Sequence, residues 1–407
     1  MRLVTAGLLA LFMAPRPAIA QPQNPAPLTL AAALDRAMTT NPAILAAQSR
    51  RAIGAAGVAV AGERLNPEGR IELDRDTPRQ AYTLAVPLEL GGKRSRRLAV
   101  AEAAVRTTDA EIAQVIAETR NAVRRAYFDR AVAEARLALF EDLQTITTRV
   151  RDAAQQRFDA GDAPRLEVLQ AQLALAQAEN QVTGARGMAT AARMQFNALL
   201  GMPVDAPTAL APAALAAPMT YEAALARAKA ASAELAVVDR RMDEQRARVA
   251  LAKALRTPDL TPEGSLTRSF GEGAEFQTGW KAAVAVTMPL FTSHKAGVFL
   301  EESTLSQLTA ERSAAEARIA SDVAAATAVA DAQRQQYVRY RDQIVPQAIQ
   351  VETMANDAYR LGQTGIAAYL LALQATRDVR LAALQAEAEL QTALTDLEKA
   401  IGAPLER

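Results

Sequence analysis

The sequence contains no cysteine, which rules out disulfides, thiolate metal sites and a lipid-modified N-terminal cysteine. Its one histidine is His294, so neither a histidine-based ligand set nor a Ser/His or Cys/His nucleophile pair can be assembled. No catalytic residue, cofactor or metal site is therefore expected, and His294 reads as a surface or packing residue. Aromatic residues are only 4 % of the chain, and alanine fills much of the apolar half. That composition builds a thick globular core poorly but suits helices that lie close together. Neither charge sign prevails, with 46 Lys and Arg against 45 Asp and Glu, so nothing steers the chain to nucleic acid. Beyond the N-terminus no apolar run reaches the roughly 18–20 residues of a membrane-spanning helix.

Some features are plain in what remains. Arg2 precedes an apolar run from Leu3 to Ala14, and Ala18-Ile19-Ala20 supplies small residues before Gln21. Residues 1–20 are expected to be a secretory signal removed on export. The rest is written twice. Leu28–Ala37 (LTLAAALDRA) matches Met219–Ala228 (MTYEAALARA), Pro87-Leu88 answers Pro289-Leu290, and Phe158–Gly161 answers Tyr359–Gly362. Gly161 and Gly362 are each followed 40 residues later by Gly-x-Pro, at Gly201 and Gly402. Such ordered self-similarity marks a duplicated architecture. The expected division is a first repeat over 21–203, an Ala/Pro linker over 204–218, a second repeat over 219–404 and a tail of 405–407.

Within each repeat the hydrophobic period changes along the chain. Asn41 with Pro42, and Ser232 at the matching place, read as helix N-caps. Alternation then takes over: Arg70-Ile71-Glu72-Leu73-Asp74, Tyr82 to Leu88, and Trp280 to Met288 each read as strands with two unlike faces. Strand pairs are expected near 68–90 and 262–291, with polar tips at Asp74–Arg79 and Gly271–Glu275. From about Ser95 to Phe158 there is neither proline nor glycine, which predicts a helix about 100 Å long. Its return partner, Pro164 to Leu200, carries Leu166, Leu169, Leu173 and Ala176 at three- and four-residue spacing. The stripe is expected to pack within a coiled-coil hairpin, one per repeat, at 93–200 and 295–401.

Four strands cannot close a barrel, and open edges in lipid would strand backbone groups at several kcal/mol each. Strands of this kind in a membrane require several copies. Two would give a barrel filled by its own side chains and three a barrel with a lumen, the sequence favouring three.

Val86–Ala103 (VPLELGGKRSRRLAVAEA), Val123–Leu139, Gln343–Ala348 (QIVPQA) and the two Gly to Gly-x-Pro hairpins together resemble the TolC-like outer-membrane efflux family, the first stretch its heavy-metal-efflux branch. The resemblance implies a mainly α fold with a small β part: duplicated helical hairpins in a trimeric α-barrel, topped by a twelve-stranded outer-membrane barrel. It also implies a homotrimer in contact with outer-membrane lipid, with a periplasmic adaptor and an inner-membrane pump as partners, acting as an exit duct. By the same resemblance the turns at Gly161, Asp162, Gly362, Gln363, Thr364 and Gly365 form the periplasmic tip that meets the adaptor. The family's second tip carries two aspartates where this chain has Ala368 and Leu371. Glu167 and Gln170 in the first tip are the remaining candidates for a constriction, a ring of carboxylates favouring cations.

Lys93, Arg94, Arg96 and Arg97 start the long helix, where cations oppose its dipole. They and Trp280 are expected at the membrane interface. A periplasmic adaptor, the alternative, should carry a single hairpin with flanking β domains. A purely structural coiled coil leaves the strand pairs unexplained.

Overall fold

The computed structural model describes residues 27–76, 78–270, 276–288 and 291–405. The expected signal segment, the second strand tip at 271–275, Pro289-Leu290 and the last two residues of the expected tail lie outside the described residues. Nine α-helices and four strands make up the described chain, in an order that runs twice through the same pattern. The first pass is α1 (Leu30–Thr40), α2 (Pro42–Gly62), β1 (Glu68–Leu73), β2 (Gln80–Ala85), α3 (Lys93–Asp159) and α4 (Arg165–Leu199). The second is α5 (Tyr221–Ala231), α6 (Ala233–Ala254), β3 (Asp259–Phe270), β4 (Phe276–Thr287), α7 (Lys295–Arg339), α8 (Val345–Arg360) and α9 (Ile366–Ile401).

The helix starts follow from their capping residues. Asn41 accepts from the N–H groups of Ala43 and Ile44, and Ser232 accepts from that of Leu235. Thr29 and Thr220 cap α1 and α5 in the same way, one short helix upstream. The long helices begin differently. Gly92 precedes α3 and His294 precedes α7, each in the left-handed conformation, with φ of 68° and 52°. His294 thus takes the backbone role of a glycine in the first repeat, which a histidine fills more readily than a β-branched residue.

α3 is 67 residues long without interruption. Its counterpart in the second repeat is broken by one π-helical turn, Tyr340–Ile344, just before Pro346. Proline offers no N–H to the carbonyl four residues back, and a π turn absorbs that mismatch without ending the helix.

Shorter helices join end to end to match these lengths. The Asn41 amide donates to the Leu199 carbonyl at 2.8 Å and the Thr40 hydroxyl to the Leu200 carbonyl at 2.6 Å, so α2 stands on the end of α4. α9 ends at Gly402, which lies against the start of α6 at Ala231 and Ser232. Near the sheet the columns pack in the order α2, α3, α6, α7. Toward the hairpin turns α3 lies between α4 and α9, and α8 packs on α9.

A belt of extended chain girds these columns about halfway along. Leu28 and Leu210 form a parallel bridge, and the buried Tyr127 hydroxyl donates to the carbonyls of Leu28 and Ala211. The fully buried Arg130 guanidinium holds Thr208 and lies 5.5 Å from the Phe196 ring. The two repeats are tied by a buried ion pair between Arg124 of α3 and Glu398 of α9 at 2.9 Å.

Candidate functional site

The four strands form one antiparallel sheet in the order β1-β2-β3-β4. Its register settles which residues share a face. Ile71 pairs with Tyr82, Tyr82 with Leu266, and Leu266 with Trp280, so one apolar row crosses all four strands. Leu84, Gly264 and Ala282 form the next row on that face, then Pro262 with Val284 and Leu260 with Val286. Leu88, bridged to Leu260, extends it toward the helices. Ile71, Tyr82, Leu84, Leu88, Leu266, Val284 and Val286 are exposed, and Trp280 is 81 % exposed.

The opposite face has another character. Arg70, Thr83, Ser265 and Lys281 form one cross-strand row, flanked by Glu72, Thr267, Glu263, Ala283 and Ala285. The Thr83 hydroxyl donates to that of Ser265 at 3.1 Å. One side is therefore apolar and uncovered from the helical end to the Trp280 row, giving way to Gln80, Arg268 and Thr278 toward the strand tips, and the other is polar with small residues between. β3 and β4 have 12 residues each, about 40 Å of strand, enough when tilted by roughly 40° to cross an apolar band about 25 Å tall. Among the described residues no helix is long and apolar enough to cross a membrane, and none of the His, Asp and Glu groups is arranged to hold a metal ion.

The basic run at the sheet's helical end is engaged differently from the sequence expectation. Lys93 is buried and donates to Asp259 at 2.6 Å. Arg94 donates to the Gly62 carbonyl, and Arg97 to the carbonyls of Ala61 and Glu63 and to the Glu89 carboxylate. These cations oppose the dipole of α3, but Arg94 and Arg97 answer the carbonyl-rich end of α2. Lys93, Arg94 and Arg97 thus brace the junction between α2, α3 and the sheet. Arg96 is exposed.

At the far end Gly161 and Gly362 close the two hairpins with φ of 83° and 73°, and a Cβ on either would meet open space. Asp162, Gln363, Thr364 and Gly365 are exposed around them. Glu167 is not an open carboxylate. Its side chain is 15 % exposed and faces Arg157 of α3 at 3.6 Å, with Gly365 of the second turn beside it. Arg157 also lies over the Tyr359 ring at 5.2 Å, and Tyr359 stacks on Tyr369 at 5.7 Å. Burial pushes the Tyr369 phenol up, with Glu352 adding to the rise. Glu167, Arg157, Tyr359 and Tyr369 thus form a clasp between the two tips of one chain, while Gln170 is half-exposed. The only trace of this clasp in the sequence is the match of Tyr359 with Phe158 in the repeat.

Comparison with known proteins agrees with this geometry. The family model described as "Outer membrane efflux protein" matches residues 33–202. The cobalt-zinc-cadmium resistance protein CzcC of Cupriavidus metallidurans is 28 % identical over 320 residues, 72 % of this chain and 73 % of that protein. The outer-membrane channel OprN superposes with a TM-score of 0.74 at 19 % identity, covering 93 % of this chain and 91 % of that one. The outer membrane protein VceC of Vibrio cholerae gives 0.73 at 16 % identity, covering 93 % of this chain and 97 % of that one. These structural likenesses show the fold, and in sequence the chain is similar to outer membrane efflux proteins over residues 33–202 and to CzcC over 320 residues.

Proposed function

We propose that three copies of this chain form the outer-membrane duct of a tripartite efflux system, a passive exit for cargo delivered from the inner membrane. The observation that carries this reading is the open sheet with a bare apolar face. β1 and β4 each leave one edge unpaired, and an apolar, edge-exposed sheet is untenable in water and in lipid alike unless it closes. Because β1 and β4 run in opposite directions, β1 of one copy continues antiparallel from β4 of the next. Three copies give twelve strands, with the apolar rows toward lipid and the polar rows toward a lumen.

Trp280 and Arg96 serve as the lipid-interface contacts in this arrangement. The turns around Gly161 and Gly362–Gly365 point into the periplasm, where a periplasmic adaptor engages them and couples the duct to an inner-membrane pump. CzcC is named for resistance to cobalt, zinc and cadmium, and metal cations are accordingly a cargo class for this chain. Mass measurement of the protein extracted from outer membranes should find three copies; a stable monomer in that membrane would overturn the reading.

A further inference from the structure

A cavity of about 450 Å³ opens beside the clasp, between α3 of the first repeat and α8 of the second. Its floor is aromatic and apolar: the stacked rings of Tyr359 and Tyr369, both buried, with Ile146 and Val150 of α3 beside them. Charged groups close both ends. Toward the turns Arg157 lies over the Tyr359 ring. At the other end Arg380 of α9 reaches Asp142 of α3 at 3.3 Å and Glu352 of α8 at 3.8 Å. The walls are unevenly charged. Arg149 of α3 and Arg360 of α8 line the cavity from its two sides, are exposed, and have no carboxylate partner among the described residues. Glu352 is the one carboxylate on the wall, and Arg380 already answers it. Arg149 stands close enough to Tyr369 to counter part of the rise in its phenol pKa. The Tyr359 hydroxyl is buried beneath the floor without a hydrogen-bond partner.

We propose that this cavity binds an aromatic carboxylate, its ring on the Tyr359–Tyr369 floor and its carboxylate between Arg149 and Arg360. The occupant follows from complementarity. Small-molecule sites of this size pair an apolar and aromatic lining with a few placed polar groups, and a planar guanidinium matches a carboxylate with two parallel hydrogen bonds. A neutral aromatic molecule would cover the floor and leave both guanidiniums unanswered. An inorganic oxyanion would answer the guanidiniums and leave the rings bare, and an aromatic cation would be repelled. The site is complete within one chain and does not depend on ring closure. Its occupant spans the two repeats, so binding favours the arrangement in which the two hairpins lie together at the tip.

Photolabelling of the full exported chain, purified from outer membranes, tests this. Benzophenone carboxylate is the probe, and labelled peptides are located by mass spectrometry. Adducts should fall on residues 146–153 of α3 and 352–360 of α8. Excess naphthoate should suppress them, while naphthylmethylammonium and inorganic phosphate should not. Arg149→Gln and Arg360→Gln, which remove exposed side chains without a carboxylate partner, should each weaken naphthoate competition roughly tenfold. Label confined to other segments would overturn the site. Equal suppression by the naphthyl cation, or unchanged competition in both arginine variants, would show apolar partitioning in place of carboxylate recognition. Suppression by phosphate as strong as by naphthoate would remove the aromatic floor from the recognition, and the proposal with it.

Discussion

Gly201 and Gly402 show how much one missing methyl group can decide. Both have positive φ, and a Cβ on Gly201 would lie 2.5 Å from the Thr40 carbonyl oxygen, while on Gly402 it would lie 3.0 Å from that of Ala231. These are the points where one helix stands on the next, so the glycine serves the approach as well as the turn. Gly201→Ala should cost about 2–4 kcal/mol, combining left-handed strain with a backbone clash. Gly161→Ala, whose Cβ meets nothing, should cost only about 1–2 kcal/mol. Thermal unfolding of the two variants checks the difference, and equal losses would show that the joint between α4 and α2 yields. The repeat in the sequence marks all four glycines alike; only distant neighbours, Thr40 for Gly201 and Ala231 for Gly402, separate them. Lys93, Arg94 and Arg97 carry the same lesson. The dipole argument for α3 is correct, but Lys93 answers the carboxylate of Asp259 in β3, and the carbonyls that Arg94 and Arg97 answer lie at the end of a helix that closes 31 residues before α3 begins, at Gly62.

At the scale of elements the strands are the most legible part. Alternation along Trp280–Met288 alone separates the two faces, and the register adds that the apolar rows coincide on all four strands. Val284 lies on the apolar face and Ala283 on the polar one. Val284→Arg should reduce stability in lipid by about 2–4 kcal/mol and Ala283→Arg by far less. Denaturant unfolding of protein folded into lipid vesicles measures both, and equal tolerance would overturn the assignment of faces. Helix periodicity is less informative. The stripe Leu166, Leu169, Leu173 announces an apolar face, and packing inside the hairpin is its simplest reading. The structure instead buries Val168, Ala171 and Ala178 there, since small residues let α4 approach α3 closely. A period identifies a face to be covered but not the surface that covers it.

For the whole molecule the informative region is the tip, where sequence and structure part most clearly. The turns themselves are legible: Gly161 and Gly362 end their helices with positive φ, as a tight return requires. Because both point into open space, Gly161→Trp and Gly362→Trp should leave trimer assembly largely intact while blocking approach of an adaptor hairpin. Loss of efflux-dependent resistance with normal trimer bands is the expected result, and unchanged resistance would remove the tip from the docking surface. The charge at the tip was not legible, because the partner of Glu167 lies on the opposite helix of the hairpin. An isolated carboxylate in three copies would favour cations, whereas one held against Arg157 at 3.6 Å contributes little net field. Neutralising Glu167 should therefore change ion selectivity only slightly. Arg157→Gln, which leaves the carboxylate without its cation, should raise the preference for cations. Reversal potentials of purified channels in planar bilayers under a salt gradient distinguish the two variants. Should Glu167→Gln alone abolish cation preference while Arg157→Gln leaves it unchanged, the carboxylate faces the lumen in the assembled channel and the clasp between the tips opens on assembly.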